Sequence, residues 1–306
     1  LMIALQHKTT LHILRILIGL VFITSAIFKL IGIDAFEVYM FSLQWFNLPV
    51  ASVIARLIIS VEFIIGIFFI TNIQFKLISK ITFGLLIYFC IFVIIQILSG
   101  NKENCHCFGE IIQLNPTSSL IKNLLLLFIL FLIRRDSGYN IKYSSSIALF
   151  VLVFAIAFPM LYSPPYFVVK WPEMPTSTLE IAAKRAQNNQ LLQTQQAASG
   201  KKIICFLSVS CSYCVNGANK MAIIAENNQL NDEILFVFTG DELLLPEFWE
   251  KSNAPRFNYV FLPMRDFFSI AGPSIPSIYL SDNGKFIHQF NYKNIDEATI
   301  IRFLQQ

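Results

Sequence analysis

Five stretches of the chain stay apolar for close to the thickness of a bilayer core, and all lie before residue 163: roughly Leu11 to Ile33, Val50 to Thr71, Ile78 to Leu98, Pro116 to Ile133, and Ser145 to Tyr162. A hydrocarbon core of about 30 Å takes about 20 helical residues to cross, so each stretch is expected as a transmembrane helix. Beyond Ser163 the pattern changes. The stretch from Ser163-Pro164-Pro165 to Gly200 is Gln- and Ala-rich, with one amphipathic helix expected after a Thr176/Ser177 cap, and reads as an arm that sets the reach of the C-terminal segment. From Lys201 onward short apolar runs alternate with polar turns. A strand ends near Val209, a helix runs from Val215 to Glu226, and Glu233 to Thr239 reads as a strand. A short helix (Leu245 to Lys251), a strand (Tyr259 to Leu262) and a closing helix (Ile295 to Leu304) are also expected. Ser277 to Leu280 and Lys285 to Asn291 form a hairpin around Asp282-Asn283-Gly284, whose Asn-Gly is a strong turn signal. The fold class expected is therefore an α-helical membrane bundle followed by an α/β domain. The divisions are 1–135 for four helices, 136–163 for a fifth, 164–200 for the arm and 201–306 for the α/β domain.

Composition agrees with a membrane chain. Of 306 residues 55% are hydrophobic and only 14% charged, with 30 Phe, which is too apolar for one soluble domain. The net charge of +4 is small, and no Lys/Arg cluster interleaves with aromatics, so nucleic acid is not expected as a partner. The first span is too long for a cleaved signal peptide and no Ala-x-Ala-like site follows it. Leu1 as first residue fits an alternative start or a chain short by a few residues.

The positive charges set an orientation. Lys8, Arg15, Lys76, Lys80, Arg134, Arg135 and Lys142 belong to one side of the spans, whereas the loops of the other side hold Lys102, with Lys29 and Arg56 near span ends. Under the positive-inside rule the N-terminus lies in the cytoplasm. Five spans then place the loop from Ser99 to Thr117, and everything after Ser163, on the opposite face, the periplasm of a bacterial inner membrane.

Two cysteine pairs fall on that face. Cys211-Ser212-Tyr213-Cys214 follows the strand Phe206 to Val209 and opens a helix, whose unpaired N–H groups and dipole favour a thiolate. Cys211 is the candidate nucleophile and Cys214 its resolving partner. As a structural disulfide the pair would close too small a loop to stabilise much, and a lone Cys-x-x-Cys also serves as half of a zinc site. Cys105-His106-Cys107-Phe108-Gly109 holds the second pair. Cysteines one residue apart can close only a tight, strained ring, and strain makes a disulfide easier to reduce. The alternative for this motif is a soft metal such as copper(I) with His106 as third ligand. Cys90 and Cys205 read as buried small apolar residues.

Strand, Cys-x-x-Cys and helix in that order, with Ser274-Ile275-Pro276-Ser277 about sixty residues on, resemble the thioredoxin fold from about Lys201 to Gln306. By that resemblance Pro276 is the cis-proline facing the active-site cysteines. In the first span Arg15, Gly19, Phe22, Ala26 and Lys29 share one helix face, and Glu62 and Gly66 share a face of the second. With Cys-x-Cys-Phe-Gly after the third span, the first 135 or so residues resemble the MauE/DoxX group of four-helix membrane proteins. MauE proteins are associated with periplasmic disulfide formation during maturation of methylamine dehydrogenase, and DoxX proteins with quinone-linked oxidation. The resemblance implies a redox role for Cys105 and Cys107 and a membrane quinone as exchange partner, with no tightly bound cofactor. The added fifth span and thioredoxin-like domain depart from that group, so the redox role is carried over and the client is not.

Intramembrane charge adds one more expectation. Glu62 lies near the middle of the second span, where an ionisable group is costly unless paired or functional. Arg15 is a candidate partner in a salt bridge locking the first two spans, with a proton-handling or quinone-adjacent role for Glu62 the equal alternative; Arg56 and Lys29 are candidates for a quinone head group or lipid phosphate, and Lys122 is expected to snorkel. The function these readings support is a membrane thiol:disulfide oxidoreductase acting on exported protein thiols or disulfides. Absence of a His between Cys211 and Cys214 leaves an outward-delivering reductase or isomerase open. The remaining alternatives are a copper-handling membrane module with a chaperone domain, and a plain membrane anchor for a soluble redox domain.

Overall fold

The computed structural model describes residues 2–99, 115–133, 144–169, 171–172, 174–194, 197, 199–230 and 232–305. The loop with Cys105 and Cys107, and the basic stretch 134–143, lie outside the described residues. The chain forms two compact units: residues 1–39 with Ser52–Pro165, and Met40–Ala51 with Tyr166–Gln306.

The first unit is helical. It holds α1 (Met2–Ile31), most of α2 (Ile33–Ser42) and of α3 (Leu48–Thr71), α4 (Phe75–Leu98), α5 (Pro116–Ile133) and α6 (Ser144–Tyr162). Among the described residues five helices, all but α2, are long and apolar enough to cross a membrane. Helix α2 has no counterpart among the expected spans, because ten residues are too short to register as one.

Burial in this unit runs opposite to a soluble bundle. On α5 the inward positions are Pro116, Ser119, Asn123, Leu126, Leu130 and Ile133, while Ile121, Leu124, Leu125 and Phe128 face outward. An outer surface that apolar suits lipid and not water. Helices α1 and α3 touch backbone to backbone at Gly19 and Gly66. A Cβ on Gly19 would lie 2.8 Å from the Gly66 carbonyl oxygen, and a Cβ on Gly66 would lie 2.8 Å from that of Gly19. Small residues at such crossings are how helices approach where no hydrophobic effect drives them together.

The second unit is built on a five-stranded sheet: β1 (Lys201–Ser208), β2 (Ile234–Thr239), β3 (Asn258–Phe261), β4 (Ser277–Asp282) and β5 (Lys285–Asn291), in the order β3-β2-β1-β4-β5. β1 is central, parallel to β2 and antiparallel to β4, and its last six residues are buried, as an almost unbroken apolar run requires. The hairpin β4–β5 turns at Asn283 and Gly284, both at positive φ (48° and 78°), where Asn and Gly are tolerated.

The helices of this unit are α7 (Thr176–Asn188), α8 (Gln190–Thr194), α9 (Ser212–Asn228), α10 (Leu245–Ser252), α11 (Met264–Ala271) and α12 (Glu297–Gln305). Alternation along the strands splits their residues between two faces. Ile204, Phe206, Leu235, Val237, Tyr279 and Phe286 form one core with α7 and α11. Phe236 stacks on Trp249 of α10 instead, and Phe238 meets Phe248 of α10 edge to face.

The stretch 164–200 differs from its expected role, because it is not all arm. Helix α7 buries Leu179, Ala182, Ala183 and Ala186, and α8 buries Leu192, in the same core as the sheet. The α/β unit therefore starts well before Lys201. The amphipathic pattern was legible, but an apolar face needs a surface to bury it, and only the fold supplies one. The helix also lacks the expected Thr176/Ser177 cap, since Pro175 occupies the cap position and makes no side-chain bond.

Candidate functional site

The Cys211-x-x-Cys214 pair sits where β1 hands over to α9. β1 ends at Ser208; Val209 and Ser210 make the turn, closed by a hydrogen bond from the Cys211 N–H to the Ser208 carbonyl (3.2 Å). Cys211 is the N-cap residue of α9 in extended conformation, and its carbonyl accepts from the N–H groups of Cys214 (3.0 Å) and Val215 (3.1 Å). This arrangement leaves the Cys211 side chain at the helix mouth, partly exposed, and buries Cys214 completely one turn in. Both are free thiols, and the Cys214 sulfur accepts a bond from the Ser208 N–H (3.3 Å).

The two thiols are driven apart in acidity. The Cys214 thiol donates to the Cys211 sulfur and stabilises its thiolate. Burial opposes this, whereas the backbone N–H groups of Cys214 and Tyr213 add to it. Together they lower Cys211 from its ordinary value of 9.0 to about 6. Cys214 is pushed far up, first by donating that same bond, then by burial, with the neighbouring Cys211 charge adding to the shift. The site thus holds one exposed nucleophile and one protected thiol that stays protonated until the nucleophile is consumed. Cys205, buried in β1 with its acidity suppressed by burial, is a packing residue. Cys90 is buried in α4.

Pro276 follows a cis peptide bond from Ile275, as the thioredoxin resemblance implies. Its ring lies against α9: a Cβ on Gly217 would come within 3.2 Å of Pro276 Cγ. The Ser277 hydroxyl fixes this turn by donating to the carbonyls of Ser274 (2.7 Å) and Ala271 (2.9 Å). Two residues of the site have no counterpart among the sequence expectations. The Tyr292 ring stacks on Tyr213, with centroids 4.7 Å apart, and the Tyr292 carbonyl accepts from Nζ of Lys220 (3.1 Å). Lys220 is a charged residue among buried apolar ones on α9 (Met221, Ile223, Ile224), which was its one visible signal.

The charges of the helical unit form buried networks. Glu62 is bound by Lys29 (Nζ to Oε1, 2.5 Å) and by the Ser25 hydroxyl (3.0 Å). Lys29 also donates to Ser25 Oγ (2.9 Å) and lies over the Phe36 ring. Arg56 pairs with Glu37 of α2, donates to the carbonyl and hydroxyl oxygens of Ser52 (2.6 and 2.7 Å), and caps the carbonyl of Ser163 (2.7 Å) at the end of α6. Lys29 and Arg56 are both buried in these networks. The close approach of α1 and α3 at Gly19 and Gly66 sets the lateral arrangement in which Lys29 reaches Glu62.

Comparison with known proteins bears on both halves. Residues 7–134 match the family of methylamine utilisation protein MauE. Over 333 aligned positions the chain is 26% identical to protein TlpB of Flavobacterium psychrophilum, covering 92% of this chain and 90% of that protein. The likeness thus extends through the MauE-like helices into the α/β unit. With five helices long enough to cross a bilayer, the MauE match makes the chain a membrane protein.

Proposed function

We propose that this protein is a membrane-bound thiol:disulfide oxidoreductase of a bacterial inner membrane, with its N-terminus in the cytoplasm and a thioredoxin-like domain in the periplasm. The observation that carries the reading is the asymmetry of the Cys211/Cys214 pair: a partly exposed thiol lowered to about 6 beside a buried one held protonated. That is what a nucleophile and its resolving partner require. Thiols of this acidity fall between thioredoxin at about 7 and DsbA at about 3.5. A stabilised thiolate favours the reduced domain, so the disulfide form takes electrons from clients, the exported protein thiols.

In the oxidised domain one client thiolate attacks Cys211, forming a mixed disulfide and releasing Cys214 as the leaving thiolate, which takes up a proton. The client's second thiolate then attacks the client sulfur of the mixed disulfide and releases Cys211 as a thiolate. The client leaves as a disulfide and the domain as a dithiol. Cys211 next attacks a Cys105–Cys107 disulfide, and Cys214 resolves that adduct, passing two electrons to the membrane pair. A quinone drawn from the bilayer is the reaction's second substrate in this scheme, reoxidising Cys105 and Cys107. The tether raises the effective concentration of one pair at the other to the order of mM, so the exchange need not wait for diffusion.

The test replaces Cys105 and Cys107 by Ala and follows the redox state of Cys211/Cys214 in cells by thiol trapping. The relay requires the domain pair to accumulate as dithiol. A pair as oxidised as in the unaltered protein would remove the relay, and accumulation as disulfide would reverse the direction of flow.

A further inference from the structure

The turn that carries Tyr292, whose ring stacks on Tyr213, is tied to α9 by a buried lysine. Lys220 is 2% exposed, lies on α9 six residues beyond Cys214, and directs Nζ to the carbonyl of Tyr292 at 3.1 Å. A lysine this deeply buried is costly to desolvate, so the bonds it makes must matter to the fold around it. Tyr292 belongs to the turn after β5. That turn is closed by the Asn294 side chain accepting from the Asn291 N–H (2.6 Å) and by the Asn291 side chain accepting from the N–H groups of Lys293 (2.8 Å) and Asn294 (3.2 Å). Tyr292 Cβ also approaches α9 at Gly217, 3.8 Å from where a Cβ would stand, next to Pro276. The turn, the cis-proline loop and α9 therefore meet at one place, and the Lys220 bond fastens the turn to the helix.

The consequence falls on Tyr213. This residue lies between the two cysteines; its ring is half exposed and stacked on Tyr292 at an interplanar angle of 29°. Lys293 Nζ lies 5.6 Å from the Tyr292 ring centroid. Tyr213 follows Cys211 by two residues, and its ring, braced by Tyr292 with part left to solvent, forms a flat aromatic wall.

The geometry points to Lys220 as a positioning residue that holds the Tyr213–Tyr292 wall beside Cys211, making the domain select client segments with an aromatic side chain next to the reacting cysteine. This rests on the thiol–disulfide reading above and names its substrate class. An aromatic pair is worth roughly 0.5–1.5 kcal/mol beyond its buried area, or about 2- to 10-fold in rate when formed only with the right client.

The experiment uses the full chain in membrane vesicles, oxidised, against two synthetic dithiol peptides that differ only in Phe or Ala beside the attacking cysteine. The readout is the ratio of their oxidation rates, which a general loss of activity or of folded protein does not move. The unaltered protein is expected to favour the Phe peptide about 2- to 10-fold. Lys220→Met is expected to bring the ratio close to 1, and Lys220→Arg, which keeps a donor, to retain a preference. If Lys220→Met does not fold, Tyr292→Leu removes the wall from above with Lys220 in place and carries the same expectation. A ratio that survives Lys220→Met or Tyr292→Leu overturns the inference while leaving the redox reading intact. An unaltered protein that oxidises neither peptide removes that reading and the inference with it.

Discussion

Nζ of Lys29 stands 2.5 Å from Oε1 of Glu62, with both side chains buried and Ser25 bridging them. One cation, one carboxylate and one hydroxyl close a neutral set, which is the form in which charge can persist at membrane depth. Removing one member leaves the other uncompensated. Lys29→Met is expected to destabilise the helical unit by about 3–5 kcal/mol, the usual cost of orphaning a buried charge, whereas Lys29→Met with Glu62→Met is expected to be near neutral. Thermal midpoints of the detergent-solubilised protein check this. Equal losses in the single and double variants would show that the cost of Lys29→Met does not come from an orphaned Glu62.

The acidity of Cys211 sets a pH profile. Alkylation of the reduced full-length protein at Cys211 is expected to rise with pH and reach half its plateau near 6. An ordinary thiol would reach half near 9.0, the value from which Cys211 is shifted. A midpoint close to that ordinary value would contradict the site geometry.

The same shift links pH to stability, with a definite sign. The folded-state value of Cys211 lies below the unfolded one, so between about 6 and 9.0 the unfolded chain holds a proton that the folded chain has released. Stability of the reduced form therefore gains from Cys211 as pH rises through that window, and loses the contribution as pH falls toward 6. Cys214 is raised and acts in the opposite sense, but only above its own ordinary value of 9.0. Denaturant midpoints of the reduced protein minus those of Cys211→Ala, taken from pH 5 to 9, should show the difference growing with pH.

The first cause of the low Cys211 value is the bond from the Cys214 thiol. Cys214→Ala is expected to move the Cys211 alkylation midpoint upward, and Cys214→Ser, whose hydroxyl still donates, to move it less. Identical midpoints in all three proteins would transfer the effect to the backbone N–H groups of the first helical turn.

At the crossing of α1 and α3 the neighbours of each missing Cβ include backbone, which cannot step aside as a side chain can. Gly66→Ala is therefore expected to cost about 1–3 kcal/mol through overpacking, more than the helix-propensity gain of up to about 1 kcal/mol. The thermal midpoint of the solubilised protein should fall, and a rise would show that the helices can separate without loss.

Much of this protein was written into local pattern. Five apolar runs became five long helices, because length and hydropathy alone decide what can span a bilayer core. The β4–β5 hairpin followed from Asn283-Gly284, whose backbone preferences are local. The placing of Cys211 and Cys214 at a strand-to-helix junction followed from the elements flanking them. What sequence could not decide were relationships across the fold. Lys29 meets Glu62, a partnership that depends on how α1 rotates against α3 at Gly19 and Gly66. Arg56 pairs with Glu37 on a helix too short to notice. Helix α7 looked like part of an arm until the sheet offered its apolar face a surface. Lys220 and Tyr292 are 72 positions apart, and no periodicity connects a helix interior with a turn beyond the last strand. Hydrophobic period and turn chemistry act between neighbours in sequence and are legible there. Charge pairing, stacking and the acidity of a thiol act through space, and only the packed chain brings their partners within reach.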